Sequence, residues 1–194
     1  MDVLFWSGGK DSYLALQFYK QEHGLDHLKL LTTCDEQEQI VPLQQVEVKR
    51  IKEQSAHLGL DLLLVPLPDS PPNEVYLERV CGKLEEAGAD RLVFGDWKLE
   101  DIREWREEEF GGRGYECLFP IWKKSIHDLL PVLILQPVEV KISAVEEEYR
   151  KYLKVGEPYN PDLVMQLPDE IDPMGENGEF HTEVVFRDLK DEVV

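Results

Sequence analysis

The stretch FWSGGKDSYLAL, Phe5 to Leu16, sets two glycines, two serines, a lysine and an aspartate between apolar residues. The run DVLFW (2–6) is short and apolar and stops at Ser-Gly-Gly, which marks a buried strand. From Asp11 onward, Leu14, Ala15, Phe18 and Tyr19 fall on one face at helical spacing. Ser7 to Ser12 is therefore a strand-to-helix turn. Gly8 and Gly9 let backbone approach a ligand with no Cβ in the way. Successive N–H groups and the helix N-terminus form an anion seat. Lys10 adds charge, and the hydroxyls of Ser7 and Ser12 add donors. Asp11 either caps the helix or helps to hold a metal. The spacing suits phosphate, yet it is neither GxxxxGK followed by Ser or Thr nor GxGxxG. The plain alternative is a turn with a solvated lysine.

Outward from this turn, LKLLTT (28–33), DLLLVPL (61–67) and RLVFGD (91–96) read as further apolar strands. VPLQQVEVKRIKEQSAHLGL (41–60) reads as a helix closing at Gly59. NEVYLERVCGKLEEAGA (73–89) reads as a helix capped by Asn73, and LEDIREWREEEF (99–110) as another helix before a short segment, ECLFPIW (116–122). Apolar strands alternating with helices predict an α/β fold, a doubly wound parallel sheet covered on both faces. Past Ser125 the pattern loosens. VLILQPVEVKIS (132–143) reads as a strand broken at Pro137, VEEEYRKYL (145–153) as a short charged helix, 156–182 largely as loop, and EVVFRDL (183–189) as a last strand. The expected division is an α/β domain over 1–130 and a smaller acidic C-terminal lobe over 131–194.

The 194 residues suffice for one good core with an appendage. The formal net charge of −19 repels nucleic acid, and the only basic clusters are short pairs such as Lys49-Arg50 and Lys123-Lys124. No run is long enough to span a membrane, and MDVLFW lacks the basic start of a signal peptide. The expectation is a cytoplasmic protein with no nucleic-acid or membrane partner. Cys34, Cys81 and Cys117 stand far apart, with no CxxC pair or zinc spacing, and read as free thiols.

A second unusual stretch is GENGEFHT, residues 175–182. Glu176 and Glu179 flank Asn177-Gly178, a strong turn signal, so both carboxylates can converge on one site with His181 close behind. Carboxylates so placed can bind magnesium, orient ammonium or accept a proton from it. The alternative is an acidic surface turn.

SGGKDS resembles the phosphate loop of the PP-loop ATP pyrophosphatases, and GENGEFHT resembles the C-terminal segment of one branch, the diphthine–ammonia ligase family. LVFGDWKLEDIREWREE (92–108), HLGLDLLLVPLP (57–68) and LFPIW (118–122) are also similar to that family, in the same order along the chain. The resemblance implies a sheet of the adenine nucleotide alpha hydrolase type. It also implies an enzyme that cleaves ATP between the α and β phosphates, adenylates the carboxylate of diphthine on elongation factor 2, and amidates it with ammonium. ATP and Mg2+ are the implied cofactors. By the same resemblance Ser7, Gly8, Gly9, Lys10, Asp11 and Ser12 hold pyrophosphate and metal, Thr32 and Thr33 meet adenine, and Gly95 belongs to the ATP site. Asp96 serves metal or acceptor, Arg103 faces phosphate or the acceptor carboxylate, and Glu176, Glu179 and His181 line the acceptor or ammonia side. Lys10, Asp11, Asp96, Glu176 and Glu179 are the implied catalytic set, with Asp11 and Asp96 as the metal ligands. For Arg103, a surface pair with Glu107 is the alternative.

The stretch 125–172 departs from the family pattern, and the tail reads FHT where the family has YET. A different acceptor is therefore the alternative within the same chemistry. A sulfur-transfer enzyme acting on tRNA would call for a thiol pair and a basic face. A nucleotide-binding regulatory domain without turnover is the alternative from another class. The assembly state stays open, with a homodimer as one option.

Overall fold

In the computed structural model, which describes residues 1–187, the chain begins with β1 (Asp2–Phe5), α1 (Lys10–His23) and β2 (Leu28–Asp35). A small antiparallel pair follows, β3 (Ile40–Val41) and β4 (Val46–Glu47), then α2 (Val48–Leu58) and β5 (Leu62–Leu67). The α/β part continues through α3 (Asn73–Ala87), β6 (Arg91–Val93), α4 (Glu100–Glu109) and β7 (Glu116–Leu118). The remainder is α5 (Ile126–Leu135), β8 (Val138–Val145), α6 (Pro161–Gln166) and β9 (Phe180–Phe186).

Five strands form one parallel sheet in the order β5-β2-β1-β6-β7. Leu4 of β1 stands between Leu30 and Val93. Successive side chains of a strand point to opposite faces, and both faces here are dry. Leu4, Leu30 and Val93 pack with Leu14 and Leu16 of α1 and Leu129 and Leu133 of α5. Val3, Leu31 and Leu92 pack with Leu77, Val80 and Leu84 of α3 on the other side. Burial on both faces is why these strands read as unbroken apolar runs. The chain leaves β1 toward β2 on one side and later returns to β6 on the other. The carboxyl ends of β1 and β6 therefore flank a topological switch point, where open α/β sheets bind ligands.

The C-terminal part is an antiparallel hairpin of β8 and β9, with a register shift between Ile142 and Ala144. Val140, Ile142, Phe180 and Val184 of this hairpin join Leu4, Trp6 and Leu14 in one apolar cluster. The hairpin is therefore packed onto the sheet domain through a shared core. Among the described residues no helix is long and apolar enough to cross a membrane.

Several local expectations are corrected. Residues 41–47 are not helical. Gln39 and Gln45 adopt positive φ, 56° and 53°, and Pro42 lies between β3 and β4, so helix begins only at Val48. ECLFPIW supplies the fifth parallel strand through Glu116–Leu118. Residues 132–135, expected as the start of a strand, belong instead to α5, whose first turn the Ser125 hydroxyl caps by accepting from Asp128 N at 3.2 Å. The strand after Pro137 is β8. Pro72 rather than Asn73 stands at the cap of α3. VEEEYRKYL makes only a 3-10 turn at Glu147–Tyr149. Within 156–182, Asn160 caps α6 by accepting from Leu163 N at 2.9 Å. The last strand starts earlier than expected, at Phe180; Asp188 and Leu189 of the stretch EVVFRDL lie outside the described residues.

Candidate active site

The loop after β1 is shaped by what presses on it. Gly8 has φ +79°, and a Cβ there would lie 2.5 Å from Ile51 Cδ1. At Gly9 a Cβ would lie 2.8 Å from the Thr182 carbonyl oxygen. The last strand thus lies directly on the loop. Val184 N donates to Gly8 O at 2.8 Å, and Lys10 N donates to Thr182 Oγ1 at 3.0 Å. Gln54, buried on α2, holds three partners. Its Oε1 accepts from Trp6 Nε1 at 2.8 Å, and its Nε2 donates to Gly8 O at 3.2 Å and Val184 O at 2.8 Å. Within the loop, Ser12 Oγ donates to Gly9 O at 3.0 Å and Gly9 N donates to Ser7 Oγ at 3.3 Å.

A cleft of about 460 Å³ opens over the carboxyl ends of β1, β2 and β6. Ser7, Asp11 and Ser12 line it from the loop and α1, Thr33 from β2, and Gly95 and Asp96 from the end of β6. Glu176 and His181 close it from the C-terminal segment, and Leu43, in the turn between β3 and β4, from the opposite rim. The two unusual stretches of sequence therefore meet at one opening.

Other expected site residues lie behind this wall. The Lys10 side chain is 2% exposed. Its Nζ donates to both Asp11 carboxylate oxygens, at 3.0 and 2.9 Å, and to Met174 O at 2.5 Å, and sits 5.5–5.7 Å from the rings of Phe180 and Tyr159. The lysine ammonium is thus held between Asp11 and the C-terminal segment and does not itself line the cleft. Glu179 is 1% exposed and faces inward. Its carboxylate accepts from Asp172 N at 2.8 Å, Asn177 N at 3.0 Å and Asn177 Nδ2 at 2.9 Å, and so pins the turn that presents Glu176. Burial would raise the Glu179 pKa, but these hydrogen bonds outweigh it and hold the carboxyl below its ordinary range. Thr32 is buried, and its hydroxyl donates to Trp6 O at 2.6 Å. Arg103 pairs with Glu107 at 2.8 Å and lies against Phe119 and Trp122, outside the cleft lining.

The cation in the cleft wall is Arg106, one turn along α4. Its Nε donates to Asp96 Oδ2 at 2.5 Å and its Nη2 to Asp96 Oδ1 at 3.3 Å. The sequence reading passed over Arg106 and Gln54. The i,i+4 spacing of Arg103 and Glu107 was a signal that Arg103 is occupied locally. Gln54 gave no signal beyond being a polar residue on the apolar side of its helix.

Glu176 is the electrostatic exception. Burial, then the neighbouring Asp11 charge, push its carboxyl up to about 7, against the pull of Lys10 and a 3.4 Å hydrogen bond from Lys98 N. His181 is lowered by burial and then by the Lys10 charge, which favours neutral imidazole. Asp11, Asp96 and Glu176 are hard oxygen donors facing one space. Among the described residues no group of three possible ligands is close enough to hold a metal by itself. Magnesium is commonly held by one or two carboxylates together with substrate phosphates; Asp11 and Asp96 both line the cleft, each paired with a cation, Lys10 and Arg106.

Similarity to known proteins is distant except in one respect. No curated protein matches the chain. A predicted subunit of tRNA methyltransferase from Methanocaldococcus jannaschii is similar at 15% identity, with 85% of each chain covered and a TM-score of 0.44. The U34-tRNA thiolase NcsA from Methanococcus maripaludis, solved with its 4Fe-4S cluster, is similar at 14% identity and a TM-score of 0.40, over 69% of this chain and 56% of that one. At these scores neither likeness bears on chemistry. The model of the diphthamide synthase N-terminal domain, by contrast, matches residues 1–110, which hold β1 to α4 and the whole loop. That is more than half of the 194 residues, and the chain belongs to the diphthamide synthase N-terminal domain family.

Proposed function

We propose that this protein is an ATP-dependent, AMP-forming amide ligase that activates an acceptor carboxylate and amidates it with ammonia. The acceptor in this reading is diphthine on elongation factor 2. The observation that carries the reading is the meeting of the SGGKDS loop with Glu176 and His181 at one cleft, at the switch point of the sheet. Membership of the diphthamide synthase N-terminal domain family supports it.

The N–H groups of Asp11 and Ser12 and the hydroxyl of Ser7 bind the pyrophosphate half of ATP, and the Ser12 hydroxyl joins them by leaving Gly9 O. Adenine lies toward Thr33 and Leu43. An acceptor carboxylate oxygen attacks the α-phosphorus, and the bond to the bridging oxygen of pyrophosphate breaks. Ammonia then attacks the acyl carbon, AMP leaves with the acceptor oxygen, and the surplus proton on nitrogen passes to a base. Glu176 suits that base. Its carboxyl near 7 is partly ionised at neutral pH and lies within a sheltered wall. Neutral His181 beside it orients the nucleophile. Mg2+ held by Asp11 and Asp96 would neutralise charge on the phosphates.

Heavy-nitrogen ammonium, ATP and diphthine-bearing elongation factor 2 test this. The reading requires heavy nitrogen in the factor, one per AMP released. Binding of ATP with no transfer to this acceptor would remove diphthine from the account. A second reading, nucleotide binding without turnover, is favoured by one observation, the Lys10 ammonium already engaged by Asp11 and Met174 O. It requires tight ATP binding and no AMP under any acceptor.

A further inference from the structure

We infer that Arg106 is the clamp for the phosphate that stays on the nucleoside, the α-phosphate, beside the loop that holds the pyrophosphate. This rests on the reading of the cleft as an ATP site.

Arg106 is the one Lys or Arg side chain in the cleft wall among the described residues. Asp11, Asp96 and Glu176 otherwise make that wall negative, so an anionic ligand needs a cation there. Lys10 does not supply it, because its ammonium is enclosed by Asp11 and Met174. Arg103 does not, because it is paired with Glu107 outside the cleft.

The position is specific. A Cβ on Gly95 would lie 2.9 Å from backbone atoms of Asp11 and Ser12, so the end of β6 abuts the first turn of α1. Asp96 follows at once and holds Arg106. The guanidinium is further fixed 4.3 Å from the centre of the Phe94 ring and 5.8 Å from that of Phe5. It therefore stands beside the loop but comes from a helix that packs against Phe94 and Phe110, on the face of the sheet opposite α1. On the ATP reading, a polyphosphate with its terminal pair on the α1 N-terminus has Arg106 in the same cleft wall to receive its third phosphate.

The donors are present as well. Asp96 uses two of the five guanidinium N–H groups, and the Tyr76 hydroxyl adjoins the same group. The remaining donors can meet two phosphate oxygens in a fork. Asp96 acts as an internal competitor that the phosphate displaces in part.

Calorimetric titration with AMP, adenosine and pyrophosphate, in chelator and without metal, tests this. Arg106→Gln should lower AMP affinity by about tenfold or more, the scale of a charge-assisted hydrogen bond. Adenosine and pyrophosphate should change by less than about threefold, as expected when the lost contact is to the α-phosphate alone. Arg106→Lys keeps the charge and should recover part of the loss. Asp96→Asn removes the competitor and should tighten AMP, whereas a purely structural ion pair predicts that both changes weaken it. Unchanged AMP affinity in folded Arg106→Gln, or a loss confined to pyrophosphate, would overturn the assignment. A parallel loss for adenosine, or weaker AMP in Asp96→Asn, would also do so. Wild-type protein that binds neither AMP nor pyrophosphate would instead overturn the ATP reading itself.

Discussion

The buried backbone N–H of Lys10 donates to the hydroxyl of Thr182 at 3.0 Å, across 172 positions of chain. The start of the first helix is thereby tied to the last strand. The loop after β1 is held on one side by the C-terminal hairpin, which also donates Val184 N to Gly8 O.

Gly9→Ala tests that tie. Its new Cβ meets a backbone oxygen, Thr182 O at 2.8 Å, which cannot rotate away. Displacement of β9 should reduce ATP affinity at least tenfold, with a loss of stability of about 1–3 kcal/mol as in overpacked sites. Titration calorimetry and denaturant melts measure both. A Gly9→Ala protein with unchanged ATP affinity would show that the strand is not needed for the loop.

Gln54→Leu removes the partners of Trp6 Nε1, Gly8 O and Val184 O without changing the helix. Gly8 O keeps its bond from Val184 N. The indole N–H is left buried and unpaired, so the loss should be about 2–4 kcal/mol. A midpoint within error of the wild type in urea would contradict this.

Lys10→Met keeps the apolar stem and removes the ammonium that joins Asp11 to Met174 O. The carbonyl loses a donor, while Asp11 retains access to water, so about 1–2 kcal/mol is expected to be lost. If Lys10 must turn to the nucleotide, turnover disappears while pyrophosphate still binds. Full turnover in this variant would end any role for the lysine in chemistry.

Glu176 and Glu179 should respond oppositely to pH. The Glu176 pKa is raised in the fold, so its contribution to stability is present below the unfolded value near 4.5 and lost as pH rises through about 7. Glu176→Gln should therefore melt higher than wild type at pH 8 and equally near pH 4.5. Glu179 is lowered, so its contribution is present above its unfolded value and lost as pH falls through the folded one. Glu179→Gln should melt lower than wild type at pH 8, with the gap closing in acid. If both variants show the same pH trend, the assignment of an outward and an inward carboxylate is wrong.

The central strands were legible because their runs are buried on both faces, as Leu30 and Leu31 illustrate by packing into different cores, whereas the edge strand β7, with Glu116 exposed, was not. The strand-to-helix loop was legible because Ser-Gly-Gly ends the apolar run of β1 and helical spacing begins directly after it. The orientation of Lys10 was not, because local sequence cannot show that Met174 O, 164 positions away, competes for its ammonium. Glu179 was misleading for the same reason. Its spacing from Glu176 suggests a pair, but the turn brings its carboxylate onto the backbone N–H and side-chain amide of Asn177. Residues 132–135 of α5 read as strand because a short apolar run carries no periodicity that separates the two.

The most direct test of the account is the identity of the cleavage products of ATP labelled at the α-phosphate. The protein is incubated with magnesium, ammonium and diphthine-bearing elongation factor 2, and the label is resolved among ATP, ADP and AMP. The account predicts AMP with equimolar pyrophosphate, dependent on the factor and abolished in Glu176→Gln. Label appearing in ADP, or AMP formation undiminished in Glu176→Gln, would contradict it.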